Sequence, residues 1–227
     1  MEFFNKYRDD MLTYVKTELD AYETSGNLRK LKIAYSRFEH TLRVYKWMEK
    51  LYAEYPDKEK LDFESLAIAT IFHDIGYCDV EHHKQHAMIG AGYCREYLEK
   101  KGYPADRTDF VCDLIARHSG KGYIHEDIPA ELVLLMEADL LDDIGAQGLV
   151  MDVWLEAACE ENVTFESILA HMERFTIRQM QAEPMHTEAG KRFWAEKQKL
   201  AEDFVNAYRE DLRKGFDTEN VGGQNNG

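Results

Sequence analysis

Five side chains with metal-binding chemistry fall on positions that otherwise read as buried. His40 shares an apolar stripe with Ile33, Val44, Trp47 and Leu51, and Arg37 lies one turn before it. His73 and Asp74 end the most apolar stretch of the chain, Leu66-Ala67-Ile68-Ala69-Thr70-Ile71-Phe72. His118 sits on the helical face of Leu114 and Ile115, and Asp139 follows Leu132, Leu135 and Met136 at helical spacing. A carboxylate taken out of water is costly unless something pairs with it. A doubly charged cation would neutralise it and use the imidazole lone pairs, so imidazole and carboxylate converging from several helices suit a metal site in a bundle core. Taken singly, each residue also fits a plainer role. An inward histidine can be a hydrogen-bonded core residue, Arg37 can pair with an inward aspartate, and His118 near a helix C-terminus can answer the helix dipole.

The elements that must position these groups are helical almost throughout. Apolar residues recur at helical spacing over 3–22, with Phe4, Tyr7, Met11, Tyr14, Val15, Leu19 and Tyr22, and "TSGN" at 24–27 breaks the pattern. The next helix, about 29–55, carries apolar residues on two opposite faces, which predicts a helix sandwiched inside a bundle. A buried helix follows at about 63–75, with Asp62 as N-cap and Gly76 stopping it. Further helices are predicted over 85–101, ended by Gly102, and 105–118. Another spans 129–143, with Pro129 in its first turn and Asp127 or Ile128 at the cap. The last three cover 146–161, 165–181 and 188–213, the final one with Phe193, Leu200, Phe204, Tyr208 and Leu212 on one face. The expected fold is an all-α bundle, one domain over residues 1–216, with a motif core at about 29–150, C-terminal helices over 151–213 and a disordered tail at 217–227.

Bulk composition narrows the function classes. The 227-residue chain has a formal net charge of −15 and no Lys/Arg block, which argues against a nucleic-acid polymer or an anionic membrane as partner. No segment approaches the ~18 uncharged apolar residues of a membrane span. "MEFFNKYRDDML" does not read as a signal or transit peptide, so the expected compartment is the cytoplasm. Cys78, Cys94, Cys112 and Cys159 are scattered, as suits reduced thiols rather than a thiolate zinc site. His125, His171 and His186 lie in polar or loop surroundings and are expected at the surface, as are the adjacent His82 and His83. No phosphate-binding GxxxxGK[ST] loop, HExxH or EF-hand pattern occurs.

The order His40, His73-Asp74, Asp139, with the contexts "RFEHTLRV", "IFHDIGY" and "EADLLDDIGAQG", resembles the HD superfamily of all-α metal-dependent phosphohydrolases. More weakly, "MHTEAGKRFWAEKQ" is similar to the C-terminal segment of one hydrolase subgroup. The resemblance implies a first metal held by His40, His73, Asp74 and Asp139. His86 in "HKQHAMIGAG" and His118 in "LIARHSG" match the extra histidines of the dinuclear branch, in which Asp74 would bridge to a second metal. One or two divalent ions are thus implied, with Fe or Mn favoured and Mg, Co or Zn compatible with nitrogen and oxygen ligands. Such an ion lowers the pKa of a bound water towards ~7. The implied reaction is attack of that hydroxide on a small phosphate ester or anhydride, a nucleotide first among them.

In that reaction Asp74 and Arg37 would be catalytic, with Lys84, and Lys121 beside it in rank, neutralising phosphate. Asp142 or Asp143 would hold a ligand histidine or fix the turn. Two other functions share the resemblance: a mixed-valent di-iron oxygenase built on the same six positions, and a non-catalytic regulatory or binding module. The apolar stripe on 188–213 leaves a homodimer open.

Overall fold

The computed structural model describes residues 1–24, 36–79, 81–120, 127–182 and 184–213. It is all-α, with no strand among the described residues. Helix α3 (Phe63–Phe72) lies at the centre and packs against α1 (Glu2–Thr24), α2 (Arg37–Glu54), α5 (Ala105–Arg117) and α6 (Ala130–Asp142). Every α3 residue from Glu64 to Phe72 is buried, as its apolar sequence demands. Asp62 caps it by accepting from the Ser65 amide. The chain then turns through His73 and Asp74 into a short 3-10 segment, Ile75–Cys78, before α4 (His86–Lys101).

Several boundaries differ from the sequence pattern. Ser36 is extended and its hydroxyl accepts from the Glu39 amide, so α2 begins at Arg37 rather than near residue 29; residues 29–35 lie outside those described. Only one face of α2 is fully buried, through His40, Thr41, Val44, Met48 and Leu51. On the opposite face Phe38, Tyr45 and Tyr52 are half-buried and Leu42 is exposed, because no helix among the described residues covers it completely. Gly76 does not end α3 by a left-handed turn: among the described glycines only Gly102 and Gly145 have positive φ. Pro129 itself occupies the cap of α6, ahead of Ala130. The tail at 217–227 lies outside the described residues.

The C-terminal third departs further. After α7 (Ala146–Cys159) and α8 (Phe165–Met172), the chain passes through a π-helical turn, Glu173–Ile177, into the short α9 (Arg178–Met180). The helix expected over 165–181 is present from Phe165 to Met180, widened by one π turn at Glu173–Ile177, a feature that recurs at functional sites. The last helix, α10 (Glu188–Asp211), buries Ala189, Gly190, Trp194, Ala201 and Val205. That is a different stripe from the expected one, and Leu200 and Phe204 are exposed. Small residues win because they let the α10 backbone come close, and Trp194 is fixed by donating its indole N–H to the Met180 carbonyl.

Buried Glu137 holds the start of α10. One of its oxygens accepts from the His186 amide at 2.5 Å and the Thr187 amide at 2.7 Å, and the other from the Thr187 hydroxyl at 2.5 Å. A Cβ on Gly190 would stand 2.5 Å from Glu137 Oε2, which explains the glycine of "MHTEAGKRFW". Glu137→Ala leaves two backbone amides without their acceptor. It is expected to cost about 3 kcal/mol, read as a melting temperature lower by roughly 6–12 °C. A shift under about 2 °C would mean that water replaces the carboxylate at no cost.

Candidate metal centre

His40 from α2, His73 and Asp74 after α3, His86 at the start of α4, His118 after α5 and Asp139 from α6 meet at one end of the bundle. Three of the imidazoles are pinned through Nδ1. His73 donates to the Thr70 carbonyl at 2.8 Å, His118 to the Ile115 carbonyl at 2.6 Å, and His40 to Asp142 Oδ2 at 2.8 Å. In His73 and His118 this fixes the tautomer and turns the Nε2 lone pair inward, whereas His40 Nε2 meets Asp139 Oδ1 at 3.1 Å and would give up its proton to a cation. Asp142 is itself held by Arg43, whose Nε donates to both carboxylate oxygens at 3.0 Å. Of Asp142 and Asp143, expected to hold a histidine or fix the turn, Asp142 is the one that accepts from His40. Asp143 is half-exposed, with Oδ1 at 4.0 Å from His40 Nδ1.

The two oxygens of Asp74 face different partners. Oδ2 looks towards His40 Nε2 at 3.6 Å, His73 Nε2 at 3.7 Å and Arg37 Nη1 at 3.0 Å. Oδ1 looks towards His86 Nε2 and His118 Nε2, each at 3.6 Å. Asp139 Oδ1 completes the first set, 3.1 Å from His40 Nε2 and 3.9 Å from His73 Nε2. Most of these separations are too long for hydrogen bonds. Two donors each ~2.1 Å from a shared ion at tetrahedral or octahedral angles stand roughly 3.0–3.5 Å apart, close to what is seen.

The electrostatics agree. His73 Nε2 is buried and has no hydrogen-bond partner, which is costly for a lone pair with nothing to receive. Burial pushes the pKa of His73 down to about 4, so no proton fills that place near neutrality. His40 goes the other way: burial disfavours its charged form, but Asp139 and Asp142 outweigh it and raise the pKa to about 10. Burial likewise opposes the Asp74 carboxylate, yet His73 and Arg37 hold it well below the usual range. Nitrogen and oxygen donors in a buried, electron-rich cluster fit a divalent cation.

The centre opens into a cavity of about 570 Å³ lined by Arg37, Arg43 and Tyr77 at one end and by α7, α8 and the π turn at the other. Tyr77 stacks on His86 with centroids 4.2 Å apart, and the Arg37 guanidinium lies over the Tyr77 ring, 3.9 Å from its centroid. Arg37 thus makes the ion pair with an acidic residue that its position allowed, while still lining the cavity. Lys84 is exposed and is not one of the lining residues. Lys121 and His125 lie outside the described residues, as does the side chain of His83; His82 and His186 are exposed. His171 is not at the surface as expected: it is largely buried on the cavity wall, bonded to Glu156. Sequence reasoning also missed Arg43, Tyr77, Asp152 and Glu156; the i, i+4 spacing of Asp152 and Glu156 was the available signal.

The HD domain family profile matches residues 37–144, which contain all six converging side chains. The chain carries an HD domain. Solved structures share the fold over nearly the whole chain. A predicted HD superfamily hydrolase from an uncultured Thermotogales bacterium is 18% identical, covering 91% of this chain and 94% of that one at a TM-score of 0.60. Bacillus subtilis YpgQ is 20% identical, covering 93% and 98% at 0.63, and has also been solved in complex with ADP. An HD-superfamily hydrolase from Bacillus thuringiensis is 19% identical, covering 91% and 97% at 0.64. No curated protein matches the sequence. The HD domain profile spans α2 to α6, and α7, α8, the π turn and Gln179 of α9 supply the cavity's far wall. No helix among the described residues is long and apolar enough to cross a membrane.

Proposed function

We propose that this HD-domain protein is a phosphohydrolase that holds two divalent cations, Fe or Mn by preference, and acts on a nucleotide or similar small phosphate compound. The observation that carries this is the division of Asp74, with one oxygen towards His40, His73 and Asp139 and the other towards His86 and His118. A pair of divalent ions supplies Lewis acidity towards phosphoryl oxygen and a water acidic enough to react at neutral pH. The chain's own residues do the rest. His40, His73, His86 and His118 present Nε2, and Thr70, Ile115 and Asp142 keep three of those rings oriented. Arg37 and Arg43 line the cavity beside the centre and supply positive charge for non-bridging phosphate oxygens, a task that falls to them because Lys84 lies outside the lining. The cavity volume of about 570 Å³ suits a small molecule rather than a polymer. YpgQ, which shares the fold, was solved with ADP, and this supports a nucleotide.

The test is element-resolved metal analysis of protein purified without oxygen and without a metal-affinity tag, followed by phosphate release from a nucleotide panel. About two Fe or Mn per chain are expected, as in two-metal hydrolytic sites, with equal turnover in air and under argon. Turnover that consumes oxygen would point to the oxygenase instead. A chain that takes up no metal after reconstitution would overturn the enzyme reading and leave the binding module.

A further inference from the structure

The far wall of the cavity carries a second cluster that the metal centre does not use. Asp152 and Glu156 lie one turn apart on α7, and His171 faces them from α8. His171 Nδ1 is 2.9 Å from Glu156 Oε2, and its Nε2 is 3.7 Å from Asp152 Oδ1. The imidazole is steadied by the Phe175 ring of the π turn, with centroids 4.4 Å apart.

Asp152 is only 4% exposed, yet its Oδ2 has no hydrogen-bond partner. Among the described residues just two other buried side-chain atoms share that condition, His73 Nε2 in the metal centre and the Tyr103 hydroxyl. Burial pushes the Asp152 carboxyl above the usual carboxylate range, against the pull of Thr176 and His171. Asp152 is one of the residues that line the cavity, with Thr176 bonded to its carboxyl and Oδ2 tucked behind the wall. An unmatched buried acceptor is costly, and a turn of the side chain that presents it to a ligand's donor recovers that cost.

The wall's charge says what kind of ligand. Asp152, Glu156 and Glu160 make this end of the cavity acidic, with no arginine in the lining beside them. At the metal centre Arg37 and Arg43 accompany Asp74, Asp139, Asp142 and Asp143, whose charge bound cations would offset. A phosphate is repelled here, and with cations in place at the metal centre it would be drawn to that end. Phe175, Met151 and Leu155 give the same wall apolar surface against which a ring can lie. The two ends are held in fixed relation where α7 meets the π turn: a Cβ on Gly148 would stand 2.7 Å from the Asp143 carbonyl oxygen and 2.8 Å from Thr176 Oγ1.

We propose that Asp152, Glu156 and His171 form a recognition subsite for the uncharged, donor-bearing end of the substrate, the sugar hydroxyls or base amino groups of a compound whose phosphate lies at the metal centre. Asp152 and Glu156 accept from those donors, and His171 is a positioning residue that keeps both carboxylates in place. The placement of the phosphate rests on the phosphohydrolase reading; the binding of the neutral end does not.

Two measurements on the full manganese-loaded chain test this. Calorimetric titration with adenosine and with ribose reads the subsite without any reaction. The ratio of kcat/KM for AMP to that for p-nitrophenyl phosphate, which lacks donors at its far end, reads it during turnover. Asp152→Asn, which puts an amide donor where the acceptor was, is expected to weaken adenosine binding about tenfold and to lower the ratio about tenfold. Glu156→Gln serves the same comparison should Asp152→Asn fail to fold. Loss of ribose binding along with adenosine assigns the sugar hydroxyls as donors, and loss of adenosine alone assigns the base; either supports the subsite. Equal binding by both proteins, no binding by wild type, or an unchanged ratio with both substrates falling together would overturn it. If wild type releases no phosphate from either ester while Asp152→Asn still loses adenosine, the phosphohydrolase reading fails and the subsite stands.

Discussion

Replacing Asp74 with alanine is expected to remove both metals and to lower phosphate release more than about 10³-fold, beyond the ~10²-fold that loss of a supporting hydrogen-bond partner costs. The reason is positional. Oδ2 of Asp74 stands with His40, His73 and Asp139, and Oδ1 with His86 and His118, so one substitution takes a ligand from each set. It also removes the negative charge that would offset two cations at close quarters, and it leaves Arg37 without its 3.0 Å acceptor beside four imidazoles. The decisive comparison is with His86→Ala, which touches only the Oδ1 side. Metal analysis should find that variant holding about one ion per chain while Asp74→Ala holds none, the pattern expected of a bridged pair. Metal retained in full by Asp74→Ala would show that the carboxylate serves only Arg37. Metal bound to wild type would add to stability by mass action, so a chelator should lower its melting temperature; in Asp74→Ala it should change little.

Much of this arrangement was legible before any coordinates. Hydrophobic spacing is strong where a helix is buried on a definite face, and His40, His118 and Asp139 were visible as polar groups on apolar stripes because burying such a group requires a reason. The doublet His73-Asp74 at the end of an apolar helix carried the same signal. His86 did not: it begins α4, where one residue of context cannot say which way a ring points, and only the resemblance marked it. Asp142 was named as support for a ligand, but its own support, Arg43, comes from α2, 99 residues away in sequence, and no local pattern reports such a pairing.

The far wall was missed for a related reason. Asp152, Glu156 and His171 lie on short amphipathic elements whose polar faces look like solvated surface in sequence, and the π turn that brings Phe175 and Thr176 round has no composition signature. The misjudged stripe on α10 has a simpler cause. Large apolar residues dominated the count, whereas the packed face is made of Ala189, Gly190, Ala201 and Val205 around a single Trp194. Close helix approach selects small side chains, which carry little weight in a hydrophobic pattern.

Among the described glycines, Gly76→Ala is expected to add the most damaging methyl group. A Cβ there would stand 1.9 Å from the His86 carbonyl oxygen, 2.8 Å from the His86 carbonyl carbon and 2.6 Å from the Gly90 amide nitrogen. All three are backbone atoms of α4, so no side chain can rotate to make room; the helix must move as a body. Gly90 meets the turn from the other side, where an added Cβ would lie 3.3 Å from the His73 carbonyl oxygen. Because the turn carries His73 and Asp74 and α4 carries His86, moving them apart opens the metal centre as well as the core. Overpacking of this kind costs about 3 kcal/mol or more, which for a chain of this length lowers the melting temperature by roughly 6–12 °C. The control is Gly92→Ala, on the same helix, where a Cβ meets nothing within 4 Å. There the loss of backbone freedom in the unfolded chain should stabilise by up to about 1 kcal/mol. Both melts are to be run with chelator, so that metal loss does not enter, and metal content is to be measured separately. A Gly76→Ala protein that melts with Gly92→Ala would mean that α4 and the turn are not locked together, and the close approach would then have no part in building the centre.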